Sequence, residues 1–147
     1  MALPNFAAKY NGPLPPQPDV LYLVHADNLI PTEVNNAKEE KKKDDTNYSI
    51  PGASSPVRTP LAEPIFILES KNIVADRIGL FKLDVKGGRR EVTISKRRKS
   101  SHPLRLAVTP LGDNLYRIEV DENLGLENGE YALSPEGSNQ VFCFEVY

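Results

Sequence analysis

Gly129 to Tyr147 reads GEYALSPEGSNQVFCFEVY, two short apolar runs on either side of the cluster Pro135-Glu136-Gly137-Ser138-Asn139. In the second run a period of two puts Phe142, Phe144 and Val146 on one face, with Val141, Cys143 and Glu145 on the other. Alternation broken by Pro, Gly, Ser and Asn reads as a β-hairpin rather than a helix. The same grammar extends upstream. Pro64 to Glu69 (PIFILE) is an apolar run, and Ile78 to Val85 (IGLFKLDV) sets Leu83 and Val85 against Lys82 and Asp84. Lys86-Gly87-Gly88-Arg89 supplies a hairpin turn, because both glycines reach positive φ at little cost. Glu91 to Ser95 (EVTIS) follows, then Leu104 to Thr109 and Leu115 to Val120 around the turn Leu111-Gly112-Asp113-Asn114. Seven strands between residues 64 and 147, without a helical period longer than a turn, predict an all-β sandwich. Its expected core includes Ile65, Ile67, Leu83, Val85, Val92, Ile94, Ile118, Tyr131, Phe142 and Phe144.

Length is sufficient for such a core. A compact chain of 16.3 kDa should expose roughly 7,500 Å², about a third of its unfolded surface. Mean hydropathy is −0.41 and the apolar runs are only a few residues long, so no helical membrane span is expected. The single cysteine, Cys143, excludes an internal disulfide and a Cys-based zinc site. A net charge of −2 argues against a globally basic nucleic-acid binder.

The first 64 residues differ in kind, holding ten of the thirteen prolines. Pro13, Pro15, Pro16 and Pro18 fix φ and favour extended geometry, so residues 1–18 read as an arm with Leu3, Phe6, Tyr10 and Leu14 as apolar anchors. Residues 19–63 read as N-terminal strands: Asp19 to His25, a turn at Asp27-Asn28, and a return from Asn28 to Val34 as a hairpin. Lys38 to Asp45 (KEEKKKDD) balances four positive against four negative charges and reads as a solvated loop. The third segment, residues 64–147, is the sandwich. Met1 to Asn11 lacks the basic and apolar regions of a secretory leader. A mature exported chain with an added methionine has the same appearance, so the compartment stays open.

Leu126-Glu127-Asn128-Gly129-Glu130-Tyr131 resembles the L-x-x-G-x-Y stretch at the start of strand F in immunoglobulin-like and fibronectin-like sandwiches. The closing GEYALSP…SNQVFCFEV is similar to that of uncharacterised bacterial β-sandwich proteins, many of them exported. The resemblance implies a seven-stranded immunoglobulin-like fold over residues 64–147, with Tyr131 as a structural corner tyrosine. It also implies an extracellular or cell-surface setting, with the cytoplasm as the alternative.

Reactive chemistry is sparse. His25 and His102 are isolated, and neither a nucleophile elbow, a zinc-protease helix nor a phosphate loop is present. Cys143 sits in an apolar strand and reads as a small hydrophobe. The 121–130 loop offers alternating oxygens but has Leu126 and Ala132 where a calcium loop needs Gly and Glu, leaving weak calcium capture as a minor reading. No cofactor or metal is expected, and the enzyme reading is secondary.

Charge is the strong asymmetry. Lys82 to Arg105 carries nine basic and two acidic residues, whereas Leu106 to Tyr147 carries eight acidic residues and one basic. The primary expectation is a non-enzymatic structural or protein–protein interaction domain of a bacterial surface or exported assembly. Its partners are copies of itself, joined through the arm as a homo-oligomer or filament. The alternative is a module for an anionic polymer or acidic partner, contacted by Arg89, Arg90, Lys96, Arg97, Arg98 and Lys99. With no aromatic in that loop to stack bases, sequence-specific nucleic-acid reading is not expected.

Overall fold

The computed structural model describes residues 10–96, 102–121 and 125–147. Among these the strands are β1 (Leu21–His25), β2 (Asn28–Pro31), β3 (Glu33–Asn36), β4 (Lys38–Lys42), β5 (Asp45–Pro51), β6 (Arg58–Thr59) and β7 (Ile65–Glu69). After a 3-10 turn at Ala75–Arg77 come β8 (Ile78–Lys86), β9 (Arg89–Ser95), β10 (Leu106–Gly112), β11 (Leu115–Val120), β12 (Gly129–Pro135) and β13 (Gln140–Val146). The protein is all-β. Among the described residues there are thirteen strands, six of them in the first 64 residues, where a single hairpin was expected.

One antiparallel sheet has the order β10-β11-β7-β1-β2, the other β3-β13-β12-β8-β9-β5-β4, with β6 parallel to the end of β13. Strands from both sides of the expected boundary near residue 64 therefore share the two sheets. Between the sheets lies the main core: Leu21, Leu23, Phe66, Leu68 and Ile118 from the first face Leu80, Tyr131, Leu133, Phe142 and Phe144 from the second. Ile67 is also buried, but on the opposite face of β7, level with Tyr22 and Arg117. PIFILE does not alternate, so its periodicity could not select Phe66 and Leu68 over Ile65 and Ile67.

The return strand expected over Asn28 to Val34 divides. Pro31 has no N–H for a ladder, and at Thr32 the chain leaves the first sheet for the second. Thr32 is buried there, its N–H and hydroxyl both donating to Leu21 O at 3.1 and 2.7 Å. The turn before it falls at Ala26-Asp27, since His25 pairs with Asn28.

KEEKKKDD is not a loop. Lys38–Lys42 is a strand exposed at every position, with Asp45 opening its antiparallel partner β5. Charges on both faces of an edge strand discourage pairing with another chain, which accounts for a composition that reads as solvated coil.

The strand order also forces the second sheet to roll. Its edge strands β3 and β4 would lie roughly 29 Å apart if six interstrand spacings were laid flat. Yet Asn36 and Lys38 are separated only by Ala37, a reach of about 7.6 Å. Glu33–Lys42 is thus one bent segment, its first half on β13 and its second on β5. Rolling gives this sheet an interior of its own, filled by Ala37, Ile50, Leu83, Ala132, Val141 and Cys143. Leu83 was expected in the main core and belongs here. Val85, expected beside it, is 51% exposed. The chain exposes 9311 Å² in all, more than the roughly 7,500 Å² of a compact protein its size.

Candidate functional site

The rolled interior has two chemically different ends. At the first, β9 begins with Arg89 and Arg90, a single step apart and therefore on opposite faces. Arg89 stays at the surface with Glu91 at 3.1 Å. Arg90 shares its face with Val92 and Ile94 and points inward, 1% exposed. Its guanidinium grips Glu33 at 2.7 and 3.0 Å, while Nε donates to Gly52 O at 2.9 Å and Nη2 to Pro51 O at 2.8 Å. Glu130 lies 3.9 Å from Nη1. A planar fork with four of its five N–H donors engaged in this way suits Arg and no other cation.

Arg90 was expected to meet an anionic partner. Burial and four internal hydrogen bonds remove it from that role. Lys96 is exposed at the end of β9, whereas Arg97, Arg98 and Lys99 lie outside the described residues.

Glu130 stands directly across from Glu145 on β13. Glu130 Oε1 accepts the Ser55 N–H at 2.8 Å, and Glu145 accepts from Arg58 Nε at 2.6 Å. Burial raises the Glu130 carboxyl to about 7, the Ser55 N–H and Arg90 pull it down, and facing Glu145 adds to the rise. Such a group prefers its proton when folded, so its stabilising contribution is complete below the unfolded value of 4.5 and declines as pH rises toward 7. At 1.36 kcal/mol per pH unit the decline is about 3 kcal/mol. Glu130→Gln keeps an acceptor for Ser55 without the ionisation. Urea unfolding from pH 4 to 8 should show the variant gaining by about that amount on the wild type; a constant difference would mean that Glu130 titrates as a surface carboxyl.

Cys143 is fully buried beside this cluster, and burial pushes its thiol to about 12, outweighing the opposing pull of Arg90. A thiol so placed packs as a small hydrophobe. His25 and His102 are exposed, at the end of β1 and ahead of β10.

At the other end the interior opens. β8 and β9 pair only over Asp84–Lys86 and Arg89–Glu91, although β8 has nine residues and β9 seven. Beyond that point they part, and a cleft of ≈ 790 Å³ occupies the space. Its walls are apolar: Tyr48 and Ile50 on β5, Phe81 and Leu83 on β8, Val92 and Ile94 on β9. Leu104 and Leu106 close one side, and Glu39, Asp76, Arg77, Arg105 and Glu136 contribute charge. The chain itself already uses the freed edge of β8 once, where Leu104 N–H donates to Leu80 O at 2.7 Å. A volume in this range, with apolar walls and a set of polar and charged side chains beside them, suits a ligand site at the mouth of a rolled sheet.

This cleft escaped the sequence reading. The available signal was parity: Arg90, Val92 and Ile94 share a face, as do Glu130 and Ala132, or Cys143 and Glu145. Apolar residues on both faces of EYALS and VFCFEVY point to a sheet buried on two sides.

Of the arm residues, Leu3 and Phe6 lie outside the described residues. Tyr10 donates its hydroxyl to Pro13 O at 2.8 Å, and Leu14 is 70% exposed. Tyr131 donates to Glu127 O at 2.8 Å while its ring packs in the main core. Among the described residues no group of three or more His, Cys, Asp or Glu could hold a metal ion, and no helix is long and apolar enough to cross a membrane. The calcium reading of the 121–130 loop falls partly on residues outside the description. Compared with known proteins, the chain matches no family model, no curated protein and no solved structure.

Proposed function

We propose that this chain is a non-enzymatic interaction domain of immunoglobulin-like type, serving a bacterial surface or exported assembly, and that its contact site is the cleft between β8 and β9. The observation that carries the reading is the parting of two paired strands around an apolar space, with a short segment of the chain already bridged to the exposed edge. A parted pair offers backbone N–H and C=O groups together with side-chain pockets. That combination suits an extended apolar peptide, whose main chain pairs with the edge while alternate side chains enter the cleft.

The immunoglobulin-like assignment draws on two features. The order β1-β7-β11-β10 against β13-β12-β8-β9 corresponds to strands A-B-E-D against G-F-C-C′. The Tyr131 hydroxyl bonds to backbone four residues upstream at the start of β12, as a corner tyrosine does. On this reading β2 to β6 are an insertion between A and B that wraps the G-F-C-C′ sheet. The surface or exported setting draws on the resemblance of the closing strands, and fractionation of expressing cells tests it.

Ile94 is only partly buried, so Ile94→Asp places a charge in the cleft without opening the main core. Titration calorimetry with a peptide of alternating Val and Thr should show binding to the wild type and at least tenfold weaker binding to this variant. Equal affinity for both would move the contact site elsewhere.

A further inference from the structure

The cleft has a neighbour. Asp19, Asn72 and Ile73 line a second depression of ≈ 500 Å³, and Arg77 with Pro135 to Ser138 borders both. Asp19 is thereby fixed one wall away from the cleft. Its Oδ1 accepts the Lys71 and Asn72 N–H groups at 2.9 Å and that of Ile73 at 3.0 Å, while its own N–H donates to Glu69 O at 2.8 Å. Pro15 is buried just ahead of it, whereas Asn11 to Leu14 are exposed. The proline-rich arm thus leaves from a fixed root beside the cleft and heads into solvent.

No residue of the segment 10–19 lines the cleft. Ahead of Tyr10 the sequence is MALPNFAAK, with Leu3 and Phe6 as its large apolar side chains. Nine extended residues reach about 30 Å. The root bends and turns over residues 16–19, with Asp19 at φ 58°, and Asn11 to Leu14 beyond it are exposed, so the described part of the arm lies off its own cleft. A stiff segment also loses little conformational freedom when it docks.

Resting on the reading of the cleft as a peptide site, we infer that its occupant is the N-terminal arm of a second copy of this chain, seating Leu3 and Phe6 among the apolar walls. Reciprocal exchange between two copies closes a dimer, and one-way exchange propagates a filament. Both follow from the same joint.

The test is complementation in the full-length chain. Light scattering should give the wild type a mass at least twice 16.3 kDa. Phe6→Asp and Ile94→Asp should each return the monomer mass, with circular dichroism confirming an unchanged β spectrum. Mixing the two variants should restore assembly, because one keeps an intact cleft and the other an intact arm. Variants that retain the wild-type mass, or a mixture that stays monomeric, would overturn the inference. A monomeric wild type that still binds the Val–Thr peptide would overturn the occupant and leave the cleft standing. If in that monomer Phe6→Asp tightens peptide binding, the arm fills its own cleft.

Discussion

Replacing Phe144 by Ala should lower the unfolding free energy by about 3–5 kcal/mol. Phe144 is fully buried on β13, with its ring centroid 5.0 Å from Phe66 on the facing sheet and 5.6 Å from Tyr131 on the adjacent strand. It therefore joins the two sheets and the two strands nearest the chain end. The void left by the ring cannot close readily, because Leu23, Leu68, Leu80 and Phe142 keep the sheets at their spacing. Urea unfolding should show a lower midpoint at unchanged slope. Val85→Ala is the matched control: Val85 is half exposed on the far end of β8, and its truncation should stay within about 0.5 kcal/mol. A Phe144 penalty no larger than the Val85 one would mean that the sheets do not share this core.

How much of the molecule could be read from its residues varies with how many faces of a strand are buried. Alternation located β8, β9, β11, β12 and β13 to within about two residues, and Gly87-Gly88 marked its hairpin, with Lys86 paired to Arg89 across it. Those signals are local. What escaped is set by closure over long separations: Glu33 pairs with Cys143, and Asp45 with Ser95. Nothing within KEEKKKDD says that its strand is the second half of a segment begun on β13. Composition even points the other way, since an edge strand protected by charge has the composition of coil.

The candidate site shows the same limit. Arg89, Arg90 and Lys96 were grouped by sign of charge, a property of the whole segment, whereas exposure depends on parity within the strand. Parity separates Arg89 from Arg90 and puts the second with Val92 and Ile94. Only the tertiary partners, Glu33 and Glu130, make burying that cation tolerable, and they come 57 and 40 residues away in sequence.

Arg90→Ala should destabilise the fold by about 3–5 kcal/mol, the range for removing one partner of a buried ion pair. Glu33 and the Pro51 and Gly52 carbonyls lose their donor at once, and Glu130 loses the positive charge 3.9 Å away. The carbonyls stay where the β5 end holds them, but the carboxylates can take up protons. Arg90 bonding holds Glu33 below the ordinary carboxylate range against the desolvation that raises it. Without the guanidinium that depression is lost and Glu130 rises further, so both folded carboxyls bind protons more tightly than before. The penalty should therefore be larger at pH 8 than at pH 5, because lowering the pH protonates more of the orphaned groups. Arg90→Met with Glu33→Gln, which replaces the pair by neutral groups of similar size, should recover a large part of the loss. Surface readings of Arg90 make the opposite forecast: a change within about 0.5 kcal/mol, no pH dependence, and weaker retention on an anionic column at low salt. Urea unfolding at two pH values, run beside a heparin-column elution, separates the two. Loss of retention without loss of stability would return Arg90 to the surface, whereas loss of stability that grows with pH assigns it to the buried cluster with Glu33 and Glu130.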